Sequence, residues 1–499
     1  MIPGRSSVPQ TFLNYIDGQW VPPQSGRWLE RENPATGVSI GTFPDSDASD
    51  VAAAVQAALD AGARWRATPA PRRAEILFRA AELMLARKEG LAHDVTVEMG
   101  KVIKEARGDV QEGIDMTYYV AGEGRRMWGQ TTPSELPDKF CFTLRQPHGV
   151  IAAITPWNFP MAIPCWKIMP ALVTGNTVVF KPSHFSPLSA INLMRILEEA
   201  GLPPGVVNLV LGGGQAGAAL AEDPRVAMVS FTGSLEIGRQ IAVSCGQAGK
   251  RLHLELGGKN AIIVLEDADI DLAIEGAVWS AFGTSGQRCT AASRIIVDQR
   301  VADGFTERLV ARARALRLGD GLDPAVEMGP VVNQAALEKA QRYMEIARDE
   351  GAVVACGGAR AMGQRLEHGW FFQPTVLVDV QPRMRVAQEE IFAPVTDVIV
   401  CSGLEEAVAI NNDVPYGLVA SVYTRDVNTA FQAVERIRTG IVYVNAGTIG
   451  AEVHLPFGGT RATGNGHREA GQAALDSYSE WKTVYVDYSG RLQKAQIDR

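Results

Sequence analysis

One cysteine stands alone in the stretch Trp279 to Arg294, "WSAFGTSGQRCTAASR". Around Cys289, Thr284, Ser285, Gly286, Thr290, Ala291 and Ala292 are all small, and Arg288 is adjacent. Small neighbours would let a substrate approach the sulfur, and a cation beside it would favour the nucleophilic thiolate. The competing reading is packing filler, since cysteine is among the most buried residue types. Glu255 in "LELGGKN" is a carboxylate in an otherwise apolar run, followed by Gly257-Gly258. Burying it is costly unless it is paired or protonated. It is therefore either a salt-bridged structural residue or a general base whose pKa burial raises towards neutrality. Asn158 in "TPWNFP" offers an amide on a loop held stiff by prolines. Such an asparagine is either a turn former or a donor to the oxyanion of a polarised carbonyl.

These groups need strand ends to hold them. From residue 150 onward, short β-branched runs recur about every 25 residues: "VIAAIT" (150–155), "TVVFK" (177–181), "VVNLVL" (206–211), "AMVSFT" (227–232) and "RLHLEL" (251–256). Helix-like stretches such as "SAINLMRILEEAG" separate them, so the pattern predicts a parallel sheet covered on both faces. A second set follows in "NAIIVL" (260–265), "RIIVD" (294–298), "AVVACGG" (352–358), "DVIVC" (397–401), "ASVYT" (420–424) and "GIVYVN" (440–445). The fold class is thus α/β, with two doubly wound domains and a boundary near 257–260. "FCFTLRQPHG" (140–149) and "SEWKTVYVDYSG" (479–490) alternate like strands but fit neither set, and would pair with each other or with another subunit. Asp17-Gly18 in "NYIDGQW" signals a hairpin. Helical spacing puts Val51, Val55, Ala58 and Leu59 on one face, with Gly62 as a stop. Ile76, Leu77, Ala80, Leu83 and Met84 form another such face, with Gly90 as its end.

Two of the strand ends carry features suited to a dinucleotide. In "FTGSLEIG" (231–238), Gly233 and Gly238 bracket a turn into a helix whose first amides would favour a pyrophosphate. The spacing is GxxxxG, a weak signal. In "FKPS" (180–183), Lys181 ends a strand at the same edge and suits a ribose or phosphate.

Composition narrows the classes. The 499 residues are 46% hydrophobic and 21% charged, with a formal net charge of −8 and no basic block, which argues against nucleic acid. The N-terminus lacks the apolar core of a signal peptide, and "PMAIPCWKIMPALVTG" is too interrupted by prolines and Lys167 to span a bilayer. Six scattered cysteines without CxxC pairs, and seven histidines without HxxxH or HExxH, point to free thiols in the cytoplasm and to no metal site.

Taken together, "PWNFP", "FKPS", "FTGSLEIG", "LELGGKN", "GQRC", "QEEIFAPV" (388–395), "NNDVPYGL" (411–418) and "PFGG" (456–459), in this order, resemble the aldehyde dehydrogenase superfamily. The resemblance implies that Cys289 is the nucleophile, Asn158 with the Cys289 amide the oxyanion hole, and Glu255 the base; Lys167 belongs to the same catalytic group. It places Lys181, with Ser183 and His184 after it, at the adenosine ribose, and Trp157, Phe231, Gly233 and Ser234 at the adenine and phosphates. Gly214 joins that side. Leu256, Gly257, Glu390 and Phe392 fall on the nicotinamide side. Residues 1–129 and 149–257 would form the dinucleotide domain and 258–460 the catalytic domain. Residues 130–148 and 478–499 would form an arm joining subunits into homodimers or homotetramers. The partner would be a small aldehyde, with neither nucleic acid nor membrane involved.

Two positions depart from the family pattern. NAD-preferring members usually carry Glu where this chain has His184; histidine neither accepts like a carboxylate nor repels a 2′-phosphate, so NADP is expected to serve at least as well as NAD. Ala393 replaces a usual Gly, which permits positive φ. "YYVAGEG" (118–124), "GNTVV" and "CTAASR" look similar to the branch oxidising α-ketoglutarate semialdehyde (2,5-dioxopentanoate). "GAE" (450–452) and "YSGRLQKAQI" (488–497) look similar to the α-aminoadipate semialdehyde branch. Both substrates carry a carboxylate, for which Arg288, His454 or Lys167 are candidate anchors; Arg288 is equally read as a salt-bridged structural residue. Phe159, Trp166 and Phe457 would wall the pocket, with Thr290 beside the sulfur. The alternatives are a broad-specificity aldehyde dehydrogenase, a CoA-acylating enzyme (against which Glu255 argues) and a non-catalytic scaffold.

Overall fold

In a computed structural model, which describes residues 10–363 and 365–497, the apolar runs assemble into two seven-stranded sheets. The first has the order Arg251–Glu255, Met228–Thr232, Val150–Ile154, Thr177–Lys181, Val207–Leu209, then Asn14–Ile16 and Gln19–Val21. The first five of these strands are parallel, and Asn14–Ile16 joins antiparallel. Successive side chains serve opposite faces. Ile151 and Ala153 pack towards helices Ala70–Ala86, Ile103–Glu123, Ala162–Thr174 and Pro187–Glu199. Val150, Ala152 and Ile154 pack towards Ala48–Ala67, Gly214–Glu222 and Leu235–Ala248. Two buried faces are what a continuous apolar run requires, because no residue of the strand meets water.

The second sheet has the order Val353–Cys356, Thr375–Val378, Val395–Cys401, Ala292–Asp298, Asn260–Val264, Val419–Tyr423, Ile441–Val444. All but the first are parallel. It too is buried on both faces: Ala261 and Ile263 belong to one cluster, Ile262 and Val264 to the other. The fold is therefore α/β with two doubly wound sheets. Only residues 256–259 separate the last strand of the first sheet from Asn260–Val264. A third sheet pairs Lys139–Pro147 antiparallel with Ser479–Asp487, with Thr131–Pro133 on its other side. No helix among the described residues is long and apolar enough to cross a membrane.

Local readings fared unevenly. Asp17 and Gly18 both take positive φ (50° and 75°), as a two-residue hairpin of this twist demands. Gly62 does not stop its helix, which runs on to Ala67 and buries Trp65. A mid-helix glycine costs only about 1 kcal/mol, less than a buried tryptophan returns. Leu59 lies on the exposed side of that helix. Nor does Gly90 end a helix: Ala70–Ala86 stops earlier, and Gly90 sits in the first turn of Lys88–Met99. The strand Thr375–Val378 escapes the sequence reading because it is only four residues long, and the hairpin Trp28–Glu32 with Ser39–Pro44 because polar residues interrupt its apolar ones.

Candidate active site

The cysteine lies between helix Ile270–Phe282 and strand Ala292–Asp298, on a turn of uncommon conformation. Thr284, Ser285 and Gly286 have φ of 52°, 55° and 69°. Non-glycine residues hold such angles only where the surroundings over-determine them, and here they do. The Thr284 amide donates to the Glu105 carboxylate at 2.9 Å, and Thr284 Oγ1 donates to it at 3.0 Å. Ser285 Oγ donates to Gly329 O at 2.8 Å. Gly329 itself fits against Gly100, where a Cβ would lie 1.9 Å from the Gly100 carbonyl. Gln287 Oε1 accepts from Val332 N at 2.9 Å, and Cys289 O accepts from Asn260 Nδ2 at 2.7 Å. The small residues before the cysteine are thus buried fasteners of a turn; they do not open a path to the sulfur. Cys289 itself remains partly exposed.

Cys289 and Glu255 line one cavity of about 310 Å³, together with Phe159, Trp166, Arg288, Thr290 and Phe457. Trp166 and Phe457 meet edge to face at 4.9 Å. Glu255, at the carboxyl end of its strand, is buried, and neither carboxylate oxygen has a hydrogen-bond partner among the described residues. Burial, reinforced by Glu469, raises its pKa well above the carboxylate range against the pull of Lys167 and Arg468. Burial and the acids Glu255, Glu390, Glu112 and Glu469 push the Cys289 thiol up to about 12. Arg288 therefore does not leave a resting thiolate. Its Nε donates to Thr284 Oγ1 at 2.9 Å, its Nη2 lies 3.4 Å from Glu105 Oε1, and its guanidinium stacks on Phe159 and Trp279.

Asn158 is buried next to the cysteine turn, where Nδ2 donates to Gln287 O at 3.1 Å. One of its two amide hydrogens is thereby used and the other is left over. Lys167 does not line the cavity. It is fully buried, ion-paired with Glu469, and donates to Ser230 Oγ at 3.1 Å. His454 is exposed and pairs with Glu452 at 3.3 Å, so it is not a wall of the cavity either. The sequence reading missed Glu469, Trp279 and the acidic face Glu105, Asp109 and Glu112 of helix Ile103–Glu123. The spacing of those three acids was visible as a helical stripe; Glu469 had no local signal. Asp109 is held by Lys101 at 3.1 Å, whereas Glu112 has neither an ion pair nor a hydrogen bond among the described residues. Burial and Asp109 raise its pKa to about 8.

The three adjacent strands Met228–Thr232, Val150–Ile154 and Thr177–Lys181 end at one edge of the first sheet, where open α/β sheets bind ligands. Thr232 closes the first, a Cβ on Gly233 would strike the Phe231 ring at 2.5 Å, and Ser234 caps helix Leu235–Ala248. Lys181 Nζ donates to Pro182 O (2.8 Å) and Gly212 O (3.1 Å), which leaves one N–H for a ligand. Ser183 Oγ accepts from Phe185 N, and Gly214 opens helix Gly214–Glu222 nearby. His184 rests on Phe185 with ring centroids 4.0 Å apart; burial, then Arg31 and Lys181, lower its pKa to about 4. Trp157 meets Phe392 edge to face at 5.7 Å. Leu256 is buried, and the bare Cα of Gly257 leaves room for Glu390, whose Oε1 accepts from Gly258 N at 2.9 Å. Positive φ falls on Phe392 (60°), so Ala393 is accommodated without strain. Helix-start amides and a lysine with a spare donor fit a dinucleotide.

Two doubly wound sheets thus accompany a cavity that holds a thiol and a buried carboxylate. A profile of the aldehyde dehydrogenase family matches residues 20–484, and the chain belongs to that family. It is 41% identical to alpha-ketoglutaric semialdehyde dehydrogenase of Bacillus subtilis, covering 95% of this chain and 98% of that one. It is 43% identical to alpha-ketoglutarate semialdehyde dehydrogenase of Haloferax volcanii, covering 95% and 99%. The structure of betaine aldehyde dehydrogenase from Staphylococcus aureus in complex with NAD+ superposes with a TM-score of 0.94 at 34% identity, covering 96% of each chain.

Proposed function

We propose that the protein oxidises a carboxylate-bearing semialdehyde such as 2,5-dioxopentanoate to the acid, with NADP or NAD as acceptor. The observation that carries this is the shared cavity of Cys289 and Glu255, walled by Phe159, Trp166 and Phe457. Cys289, which is partly exposed, gives up its thiol proton to solvent, and its Sγ adds to the aldehyde carbon. The spare Asn158 hydrogen and the Cys289 amide hold the resulting alkoxide; removing one such donor typically lowers the rate about 10²–10³-fold. A bound nicotinamide dinucleotide supplies the hydride acceptor and, when oxidised, a positive ring. Burial first, and then the acids ringing Cys289, hold the thiol proton on, so incoming positive charge would favour the thiolate. Once the sulfur carries a thioester, Glu255 takes a proton from water, the hydroxyl oxygen bonds to the acyl carbon, and Cys289 leaves as thiolate. Trp157, Lys181, Gly233 and Ser234 would hold the adenosine half of the cofactor, and Glu390 and Phe392 the nicotinamide half.

Two things support the semialdehyde. The relatives of this chain named above act on α-ketoglutarate semialdehyde. Lys104 and Arg288 give the cavity two cations, and Arg288 has three N–H groups beyond those engaged by Thr284 and Glu105. Lys167 and His454 are set aside as anchors by their own partners. The test is Cys289→Ala assayed spectrophotometrically on 2,5-dioxopentanoate, pentanal and benzaldehyde. Oxidation is expected to vanish while NADP still binds in a fluorescence titration. Turnover equal to wild type would refute the assignment.

A further inference from the structure

Asn158 and Cys289 lie far apart in the chain, so a third element must set their separation. Helix Ile103–Glu123 reaches both of their segments through two carboxylates one turn apart, Glu105 and Asp109. Glu105 holds the cysteine turn through the Thr284 amide and hydroxyl. Asp109 is fully buried and both its oxygens are engaged: Oδ1 accepts from Ala162 N at 2.8 Å, Oδ2 from Lys101 Nζ at 3.1 Å. Each contact bears on the segment that carries Asn158. Ala162 opens helix Ala162–Thr174, whose N-cap residue, Met161, has no side-chain oxygen to offer. The first amides of a helix need an acceptor, and a carboxylate also suits the positive end of its dipole. Asp109 supplies that carboxylate from another helix. Lys101, equally buried, sets its ammonium 3.8 Å from the centre of the Phe159 ring, next in sequence to Asn158.

We propose that Asp109, with Lys101 as its counter-ion, is a positioning residue for the oxyanion. It fixes segment 158–162 so that the spare Asn158 hydrogen meets the oxygen formed when an aldehyde adds to Cys289. This rests on the reading of Asn158 as the oxyanion donor. The pair grips Phe159 and the helix start at Ala162, while Asn158 Nδ2 ties the same segment to Gln287 O in the cysteine turn. Helix Ile103–Glu123 is then the common mount of nucleophile and donor, one held by Glu105 and the other by Asp109. The tolerance at such a mount is small: a misplacement of about 1 Å can lower a rate about a hundredfold.

The test uses the full-length enzyme with NADP in a stopped-flow instrument. The double variant Lys101→Met/Asp109→Ala removes both partners, so that neither charge is left buried alone. At saturating aldehyde, its first-turnover rate of cofactor reduction should fall at least about tenfold, with the aldehyde KM moving less than about twofold. Alkylation of Cys289 by iodoacetamide, which displaces iodide and forms no oxyanion, should stay within about twofold of wild type. Adding Asn158→Ala should then cost less than about threefold, against about a hundredfold in the wild-type background, because a misplaced donor has little left to lose. Two losses that simply multiply would overturn the proposal. So would a wild-type first-turnover rate in the double variant, or alkylation slowed as much as reduction, the mark of a general structural role. If Asn158→Ala alone kept the wild-type rate, the oxyanion reading would fall first, and the positioning role with it. Should Lys101→Met/Asp109→Ala not fold, Asp109→Glu decides by the same measurements, since it keeps a carboxylate for Lys101 but carries the acceptor one methylene too far.

Discussion

Arg288 Nη2 lies 3.4 Å from Glu105 Oε1, so the cation next to the candidate nucleophile is tied to an acid almost two hundred residues earlier in the chain. The same carboxylate receives the Thr284 amide and hydroxyl. One glutamate thus fixes both the cysteine turn and the arginine that lines the cavity.

Arg288→Met should therefore do two separable things. It leaves Glu105 without its cation, which we expect to lower unfolding stability by about 3 kcal/mol in urea titrations. It should also cut the kcat/KM ratio of 2,5-dioxopentanoate over pentanal by about tenfold, as loss of a hydrogen bond to a charged group does. Lys104→Met serves as the companion variant away from Glu105. An unchanged ratio in both would mean that neither cation anchors a carboxylate.

Glu255→Gln should stall after one turnover. The amide cannot take a proton from water, so the thioester on Cys289 persists. A burst of reduced cofactor equal to the enzyme concentration, followed by a rate at least about a hundredfold below wild type, is expected. Multiple rapid turnovers would assign the base elsewhere.

Glu112 sets a pH dependence. Burial and Asp109 raise its pKa from 4.5 to about 8 in the folded protein. A carboxyl raised on folding contributes fully to stability below the unfolded value, and that contribution is lost as pH climbs through the folded one. Glu112→Gln should thus gain on wild type in melting temperature between pH 5 and pH 9. In wild type, KM for an anionic semialdehyde should rise above about pH 8 as Glu112 ionises, and this rise should flatten in Glu112→Gln. Parallel melting curves across that range would contradict the assignment.

We propose that His184 governs the choice of nicotinamide cofactor. Held neutral by burial, and then by Arg31 and Lys181, it offers nothing to repel a 2′-phosphate. The wild-type enzyme should show kcat/KM for NADP at least equal to that for NAD. His184→Glu should lower the NADP value by more than about tenfold through like-charge repulsion. Strict NAD preference in the wild type would remove the basis for this expectation.

The parallel strands were legible because a strand buried on both faces must be apolar throughout, and "TVVFK" and "NAIIV" say so without context. Gly62 and Gly90 misled because a propensity of about 1 kcal/mol per glycine yields to packing that only the tertiary structure supplies. At the candidate site, Cys289, Glu255 and the aromatics Phe159, Trp166 and Phe457 do converge on one cavity. What stayed hidden was the set of partners. Nothing near Arg288 names Glu105, nothing near Lys167 names Glu469, and the exposed pairing of His454 with Glu452 is set by a loop whose course no periodicity reveals.

The close fit of Gly329 against Gly100 reaches further than its position suggests. Because the Gly329 carbonyl anchors Ser285, even a methyl group there would push backbone against backbone and shift the cysteine turn. In a saturation mutagenesis screen, that glycine should be as intolerant as Cys289 itself, because it sets where the sulfur sits.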